Sequence, residues 1–153
     1  RSVIDMSVDT MTKLYELKNI KGVKDATGDL KRVDQQLKAM GNEFIQLTGN
    51  DDNAFEFNKR GGVGAIGVTA NVAAKLASNF QQACTNDIKK ASELDKLLQP
   101  LHTSLFIESN PSPVKYAASL LGICSPEVRL PLVQVKEDTK KKISEALKVA
   151  KIL

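Results

Sequence analysis

Along the first 86 residues, short apolar runs alternate with segments whose apolar side chains recur every three or four positions. The apolar runs predict three β-strands, at residues 19–25, 43–48 and 65–69. The helical spacing predicts helices that carry three apolar stripes: Met11, Leu14 and Leu17; Leu30, Val33, Leu37 and Met40; and Val72, Leu76, Phe80 and Ala83. A strand–loop–helix period of about 20 residues implies parallel strands joined by right-handed crossovers.

Capping residues mark several ends of these elements. The first helix is predicted over residues 8–18, and Gly41 is a plausible C-cap for the second. A short helix is predicted over residues 52–59, and Asn71 is placed to cap the helix after the third strand. Three strands cannot close a barrel, so this part of the chain predicts an incomplete parallel sheet.

From residue 87 onward the pattern indicates helices only. One apolar stripe runs through a helix in which Pro100 is expected to cause a bend or an interruption, and it consists of Ile88, Ala91, Leu94, Leu98, Leu101 and Leu105. Pro113 suits the first turn of a further helix that ends near Gly122, and a last helix is predicted over residues 137–150. We therefore expect two domains, 1–86 and 87–153.

Composition and charge exclude several classes of partner. The chain has 153 residues, 42% of them hydrophobic and 26% charged, which is typical of a globular protein. The net charge of +4 comes from basic residues mixed with acidic ones, and aromatic residues make up only 5% with no Trp. Neither a basic nucleic-acid footprint nor a base-stacking platform is indicated. No apolar run reaches membrane-spanning length, so we expect neither a nucleic-acid nor a membrane partner.

The cysteines and the histidine give no metal-ligand spacing. Cys84 and Cys124 are far apart and predict free thiols in a reducing compartment, hence a cytoplasmic protein. His102 lacks a Cys or His partner and is interpreted as structural or surface-exposed, so no metal site is expected. The Gly61-Gly62-Val63-Gly64 segment precedes a strand instead of following one, which argues against a nucleotide site.

Lys24 is the most informative residue of the chain. It lies at the carboxyl end of the first predicted strand, just before the turn Thr27-Gly28-Asp29 that opens the next helix. In parallel α/β proteins this edge of the sheet carries the chemistry. A half-buried amine there loses part of its hydration, which favours the neutral form that attacks a carbonyl to give a Schiff base. Most lysines are solvated surface charges, so position alone leaves that alternative open.

The segments around these strands resemble the dihydrodipicolinate synthase family over essentially the whole chain, in order and with the family's spacing. The segments that carry the resemblance are Gly22-Val23-Lys24-Asp25-Ala26-Thr27-Gly28-Asp29-Leu30, Leu47-Thr48-Gly49-Asn50-Asp51-Asp52, Gly61 to Val72, Pro100-Leu101-His102, Asn110 to Lys115 and Arg129-Leu130-Pro131-Leu132.

The resemblance implies an α/β fold, the C-terminal portion of a (β/α)8 TIM barrel followed by a small helical domain. Residues 19–25, 43–48 and 65–69 would be strands six, seven and eight. On this reading the chain is the C-terminal part of a longer protein and starts just after the fifth strand. The first five strands would be missing, together with the tyrosine and threonines that relay protons in the family.

The resemblance also implies the chemistry. Lys24 would form a Schiff base with pyruvate, and the resulting enamine would attack aspartate semialdehyde to give 4-hydroxy-tetrahydrodipicolinate in lysine biosynthesis. Arg1 would bind the carboxylate of the second substrate, while Gly49 and the carbonyl of Ile66 would line the pocket. No cofactor would be needed, and the family suggests a homotetramer.

Some features leave alternatives open. Asn50 stands where many relatives carry Asp, and Gly67 where many carry Ser, which affects fine contacts after strands seven and eight. For Gly49 and Ile66 the alternative is plain barrel packing, and for Arg1 it is a solvent-exposed terminus. Rival functions are another pyruvate-dependent aldolase, such as one similar to N-acetylneuraminate lyase, or a catalytically dead barrel with a structural role.

Overall fold

The computed structural model describes residues 4–153, so the predicted carboxylate-binding residue Arg1 lies outside the described residues. The elements in chain order are α1 (Val8–Tyr15), β1 (Gly22–Asp25), α2 (Lys31–Met40), β2 (Ile45–Thr48), a 3-10 turn (Asp51–Asn53), α3 (Ala54–Lys59), β3 (Gly64–Ala65), α4 (Ala70–Asn86), α5 (Ile88–Ser104), α6 (Ser112–Leu120) and α7 (Glu137–Val149).

The chain divides into two compact units, one that ends at Gly67 and one that runs from Val68 to Leu153. The division lies before α4, because α4 packs extensively against α5 and so joins the helical unit. The sequence placed the domain boundary after α4, at residues 86 and 87. That assignment of domains stays a prediction.

The first unit contains a parallel sheet of order β1-β2-β3. Its register pairs Lys24 with Leu47 and Leu47 with Gly64, so these three residues share one face of the sheet. The opposite face carries the buried residues Asp25 and Thr48, and the neighbouring Gln46 on that face donates from Nε2 to the carbonyl of Val33 in α2 at 3.2 Å. The helix-covered face is therefore held partly by buried polar side chains.

The three strands lie where the sequence predicts them, but each is shorter. Before β1, the Ile20 amide donates to the Leu17 carbonyl at 3.0 Å. Residues 19 and 20, which were expected to begin the strand, therefore belong to a turn. At the end of β3, Thr69 already has helical backbone angles, with φ −60° and ψ −33°. The prediction of Asn71 as the helix cap is therefore wrong, since Asn71 lies inside α4 and donates from Nδ2 to the Val68 carbonyl at 2.8 Å.

The second unit has its core between α5 and α7. Leu98, Leu101 and Leu105 in and beside α5, and Ile143 and Leu147 of α7, are all fully buried. The expected stripe is correct except at its start, because the side chain of Ile88 is 53% exposed.

Two further features of the second unit bear on the sequence predictions. α5 continues through Pro100 without interruption, and the irregular backbone lies instead in α4, at Ala73 with φ −134° and ψ 39°. His102 is structural, as one of the two interpretations proposed: it is buried, with Nδ1 2.7 Å from the hydroxyl of Thr69.

Two other kinds of feature are absent from the described residues. Residues 4–153 contain no helix that is long and apolar enough to cross a membrane. The same part of the chain contains no group of three or more His, Cys, Asp or Glu side chains arranged to hold a metal ion.

Asp25, the last residue of β1, organises the loop that follows. Its Oδ1 accepts hydrogen bonds from the amide of Thr27 at 2.8 Å and from the Thr27 hydroxyl at 2.6 Å. Its Oδ2 accepts from Nε of Arg32 at 2.8 Å and from Nε2 of Gln36 at 3.4 Å, both in α2. Burial alone would raise the pKa of Asp25, but the Thr27 hydrogen bonds and the Arg32 ion pair outweigh it and hold that pKa below its ordinary value.

This network predicts a loss of stability in acid. Because the folded-state pKa of Asp25 is below its ordinary value of 3.8, the unfolded chain binds this proton more tightly than the folded chain does. The carboxylate therefore stabilises the fold above about pH 4, and that contribution disappears as the pH falls through the lower folded-state pKa. Relative to Asp25→Asn, the wild type should show a steeper fall in its free energy of unfolding below about pH 4, measured by urea titration.

The matched control is Asp34→Asn. Asp34 pairs with Arg60 at 2.7 Å, but both side chains are largely exposed, at 54% and 41%. Exposed pairs contribute about 0–1 kcal/mol, so this variant should follow the wild-type pH dependence. Parallel pH profiles for the wild type and Asp25→Asn would contradict the role given to Asp25.

Candidate active site

Lys24 lies in β1, one residue before the carboxyl end of the strand. This is the position expected for a residue that carries chemistry in a parallel α/β protein. The predicted half-burial is wrong, however, because the Lys24 side chain is exposed. The physical reason is that β1 pairs only with β2 among the described residues, so its other edge and the face that carries Lys24 are open.

Gly49 lies against the Lys24 side chain. The residues one step beyond the paired ends of the first two strands are Ala26 and Gly49, and the Gly49 amide donates to the Asp25 carbonyl at 2.6 Å. A Cβ added at Gly49 would lie 2.9 Å from Cε of Lys24 and 2.7 Å from Cβ of Ala26. Both distances are shorter than real contacts allow. The Lys24 side chain can therefore keep its observed position only with glycine at position 49.

Ile66 follows β3 at the same edge of the sheet. Its amide donates to the carbonyl of Thr48 at 2.8 Å, which extends the β2–β3 pairing by one residue. Its side chain is 51% exposed. The carboxyl ends of all three strands thus present Lys24, Gly49 and Ile66 on one edge, as the sequence predicted, while the roles of these residues stay predictions.

The two positions at which the sequence departs from the family pattern both have neighbours in this unit. Asn50 lies beside the loop after β1, where a Cβ at Gly28 would be 3.3 Å from Nδ2 of Asn50. A Cβ at Gly67 would collide with the carboxylate of Asp51, which is buried. Glycine at position 67 therefore leaves space for the Asp51 carboxylate, and a serine there would require that group to move.

A cavity of about 470 Å³ adjoins Lys24. Its lining includes the end of β1 and the following loop, among them Lys24, Ala26 and Thr27. It also includes Asp5 and Met6, which precede α1, and Arg32 of α2. The cavity is large enough for a small organic acid. Lys24 is one of its lining residues, whereas Gly49 and Ile66 are not.

Sequence reasoning missed the ion-pair network behind this cavity. It gave Asp25 no role and did not single out Arg32 or Asp5. The Asp25–Thr27 part had a local signal, because an Asp whose side chain binds the amide two residues on is a common turn motif. The contact of Arg32 with Asp5 joins residues 27 positions apart, and nothing local in the sequence indicates it.

The site can do nucleophilic chemistry. A primary amine attacks a ketone or aldehyde and loses water to form an imine, and this reaction needs a nucleophile placed beside a pocket that holds the carbonyl compound. Lys24 beside the cavity meets that requirement.

Comparison with known proteins places this geometry in a family. Residues 1–150 match the model of the dihydrodipicolinate synthetase family. The chain is 67% identical over 157 residues to the 4-hydroxy-tetrahydrodipicolinate synthase of Pelagibacter ubique, a match that covers 100% of this chain and 54% of that protein. The synthase of Parvibaculum lavamentivorans is 51% identical over 154 residues, covering 100% of this chain and 53% of its own length. The chain thus spans about half the length of the curated relatives it matches.

Solved structures agree with the sequence comparison. The dihydrodipicolinate synthase of Aquifex aeolicus matches with a TM-score of 0.94 at 35% identity, over 99% of this chain and 53% of that one. The chloride-inhibited dihydrodipicolinate synthase of Acinetobacter baumannii, complexed with pyruvate, matches with a TM-score of 0.94 at 38% identity, over 100% of this chain and 53% of that one. These matches confirm the predicted fold class, a portion of a (β/α)8 barrel followed by helices. The chain belongs to the dihydrodipicolinate synthetase family.

Proposed function

We propose that the complete gene product that carries this sequence is a 4-hydroxy-tetrahydrodipicolinate synthase, a lyase of lysine biosynthesis that uses Lys24 as a Schiff-base nucleophile. The observation that carries the proposal is the placement of Lys24 at the carboxyl end of β1, beside the cavity and against Gly49. Family membership supports the same activity.

The first half of the reaction activates pyruvate. The neutral amine of Lys24 attacks the ketone carbon of pyruvate, and loss of water gives an imine. The imine withdraws electrons from the adjacent methyl group, so removal of a methyl proton gives an enamine. By the family resemblance, the groups that relay these protons lie outside this chain.

The second half joins the two substrates. The enamine carbon attacks the aldehyde of aspartate semialdehyde and forms a carbon–carbon bond. The amino group of the adduct then displaces Lys24, which closes the ring and returns the free lysine. The protein's own amine supplies the electrophilic activation, so we propose that no cofactor or metal takes part.

The other predicted site residues would bind substrate. Gly49 would let substrate and Lys24 approach the β2 backbone closely, since a Cβ there would lie 2.9 Å from Cε of Lys24. Ile66 would line the pocket mainly through its carbonyl, at the end of the neighbouring strand. Arg1 would hold the carboxylate of aspartate semialdehyde through two parallel hydrogen bonds; it lies outside the described residues.

Two further properties form part of the proposal. Neither Cys84 nor Cys124 forms a disulfide bond in the described residues, which supports a reducing compartment and hence the cytoplasm. The family resemblance supports a homotetramer.

Reductive trapping tests the nucleophile. The complete gene product, incubated with pyruvate and borohydride, should gain one covalent pyruvate adduct on Lys24, because borohydride reduces the imine to a stable secondary amine. Lys24→Arg keeps the positive charge without the reactive amine and should gain none. Peptide mass spectrometry locates the adduct.

The matched control is Lys21→Ala, which removes an exposed lysine just before the same strand and should label as the wild type does. A wild type that gains no adduct, or an adduct that persists in Lys24→Arg, would refute the Schiff-base assignment. A labelled wild type that turns over a keto-sugar acid but not aspartate semialdehyde would favour the related aldolase.

Gly49→Ala tests the close approach to Lys24. The added Cβ would lie 2.7 Å from Cβ of Ala26 and 2.9 Å from Cε of Lys24, so both the strand pair and the lysine would have to shift. We expect the rate of pyruvate trapping to fall roughly 10- to 100-fold, since a misplacement of about 1 Å can cost that much.

The double variant Ala26→Gly/Gly49→Ala separates the two contacts. It removes the Ala26 Cβ, which relieves the collision between strands, but leaves the crowding of Lys24. The double variant should regain thermal stability relative to Gly49→Ala while trapping stays slow. Wild-type trapping rates in Gly49→Ala would show that position 49 serves packing alone.

Residues 1–153 expressed alone should lack synthase turnover. The open sheet face leaves Lys24 exposed, and the proposed proton relay is absent from this chain. A coupled assay with pyruvate and aspartate semialdehyde checks this, with the complete gene product as the positive control. Turnover by purified 1–153 at the rate of the complete protein would contradict the expectation.

A further inference from the structure

Arg32 connects three parts of the first unit. Its Nε donates to Oδ2 of Asp25 at 2.8 Å, its Nη1 to Oδ2 of Asp5 at 3.1 Å, and its Nη2 to the carbonyl of Met6 at 2.6 Å. Every nitrogen of the guanidinium group thus has an acceptor. The Arg32 and Asp25 side chains are only 12% and 7% exposed, so the bond between them is sheltered from competition by water, whereas Asp5 is 63% exposed.

The geometry of a guanidinium group makes this connection directional. Its donors lie in one plane at fixed angles, so acceptors on different nitrogens are held at fixed positions relative to one another. The Asp5–Met6 segment is therefore oriented with respect to Asp25, the residue that follows Lys24. A lysine in place of Arg32 could keep the ion pair with Asp25. Its ammonium group lacks the two further nitrogens that bind Asp5 and Met6 at fixed angles.

The residues joined by Arg32 all line the cavity beside Lys24. Asp25 belongs to β1, and Asp5 and Met6 belong to the segment before α1. Arg32 bonds to both segments and so fixes them relative to each other.

We propose that Arg32 is a positioning residue that fixes the Asp5–Met6 segment relative to the end of β1, and that this restricts the reach of Arg1, the proposed carboxylate-binding residue. The inference rests on the proposed function, in which Arg1 binds aspartate semialdehyde. Arg1 precedes Asp5 by four residues, and four residues of extended chain span at most about 14 Å. Fixing Asp5 and Met6 therefore limits where the Arg1 side chain can reach.

A purely structural role for Arg32 would have a different signature. Loss of a structural ion pair lowers stability, and the smaller folded fraction lowers the apparent kcat and the amount of trapping together while KM stays unchanged. Loss of a positioning contact affects the step in which the positioned group binds its substrate. The Michaelis constant for aspartate semialdehyde should therefore rise while pyruvate trapping on Lys24 stays unchanged, since pyruvate reacts before the second substrate binds.

Steady-state kinetics of the complete gene product test the proposal in Arg32→Lys and Asp5→Asn. Arg32→Lys keeps the charge facing Asp25 and loses both contacts to the Asp5–Met6 segment. Asp5→Asn removes only the charge that pairs with Nη1 of Arg32. The Asp5 side chain is 63% exposed, so the variant should fold. For both variants we expect KM for aspartate semialdehyde to rise, roughly tenfold or more in Arg32→Lys and less in Asp5→Asn, with trapping rates within about twofold of wild type.

Arg60→Lys is the matched control. It alters an Arg–Asp pair of similar length, 2.7 Å, in the same unit, but on an exposed surface and away from the cavity. Its kinetic constants should equal those of the wild type. If Arg32→Lys does not fold, Asp5→Asn carries the test by itself.

The outcomes separate this inference from the proposed function. A wild type that forms no adduct on Lys24 refutes the proposed function. A labelled wild type, with an unchanged KM for aspartate semialdehyde in the variants that fold, refutes the positioning role and leaves the function intact. Equal losses in trapping and in turnover, accompanied by a lower melting temperature, also refute it, because they indicate a structural ion pair.

Discussion

The buried carboxylate of Asp25 is the group on which the site depends. It ends β1, shapes the turn through Thr27 and accepts the hydrogen bond from Nε of Arg32, so that strand, loop and α2 meet at one pair of oxygens. A buried carboxylate is costly unless its lone pairs are filled, and here each oxygen accepts at least two hydrogen bonds. Lys24 is the residue just before this anchor, so its backbone position is fixed by a network in which its own side chain takes no part.

The two faces of the sheet have opposite characters. The helix-covered face buries polar residues, among them Gln46 and Thr48, each with a hydrogen-bond partner. The other face carries apolar side chains that are partly exposed, such as Ile45 at 46%. In a closed barrel of parallel strands this second face points inward and is filled by side chains from other strands. The exposure of Ile45 and Lys24 has the same origin, because the chain spans about half the length of its relatives.

Local patterns in the sequence were sufficient for much of the fold. The order of elements, the parallel sheet and the C-cap at Gly41, where φ is +79°, follow from spacing and turn residues. The short β3 was not predictable, since Ile66, Val68 and Thr69 have β-branched side chains typical of strands but Thr69 takes helical backbone angles. Likewise Pro100 is accommodated within α5, whereas the irregular backbone lies at Ala73, a residue with no breaking tendency. In these cases tertiary packing decides the backbone and overrides residue preference.

For the candidate site as well, some features follow from nearby sequence and others depend on residues that are distant in sequence. Lys24 was predictable from a local pattern, a lysine at the end of an apolar strand, whereas Gly49 was singled out by the family resemblance; the register of β1 and β2 brings the two together. The environment of Lys24 was not predictable, because the hydration of a side chain depends on what covers it and not on its neighbours in sequence. The motif therefore points to Lys24 as the proposed nucleophile, whereas the reactivity of an amine depends on the burial and charges around it. Arg32 shows this dependence on distant residues, since its contact with Asp5 joins two lining residues of the cavity that are 27 positions apart in sequence.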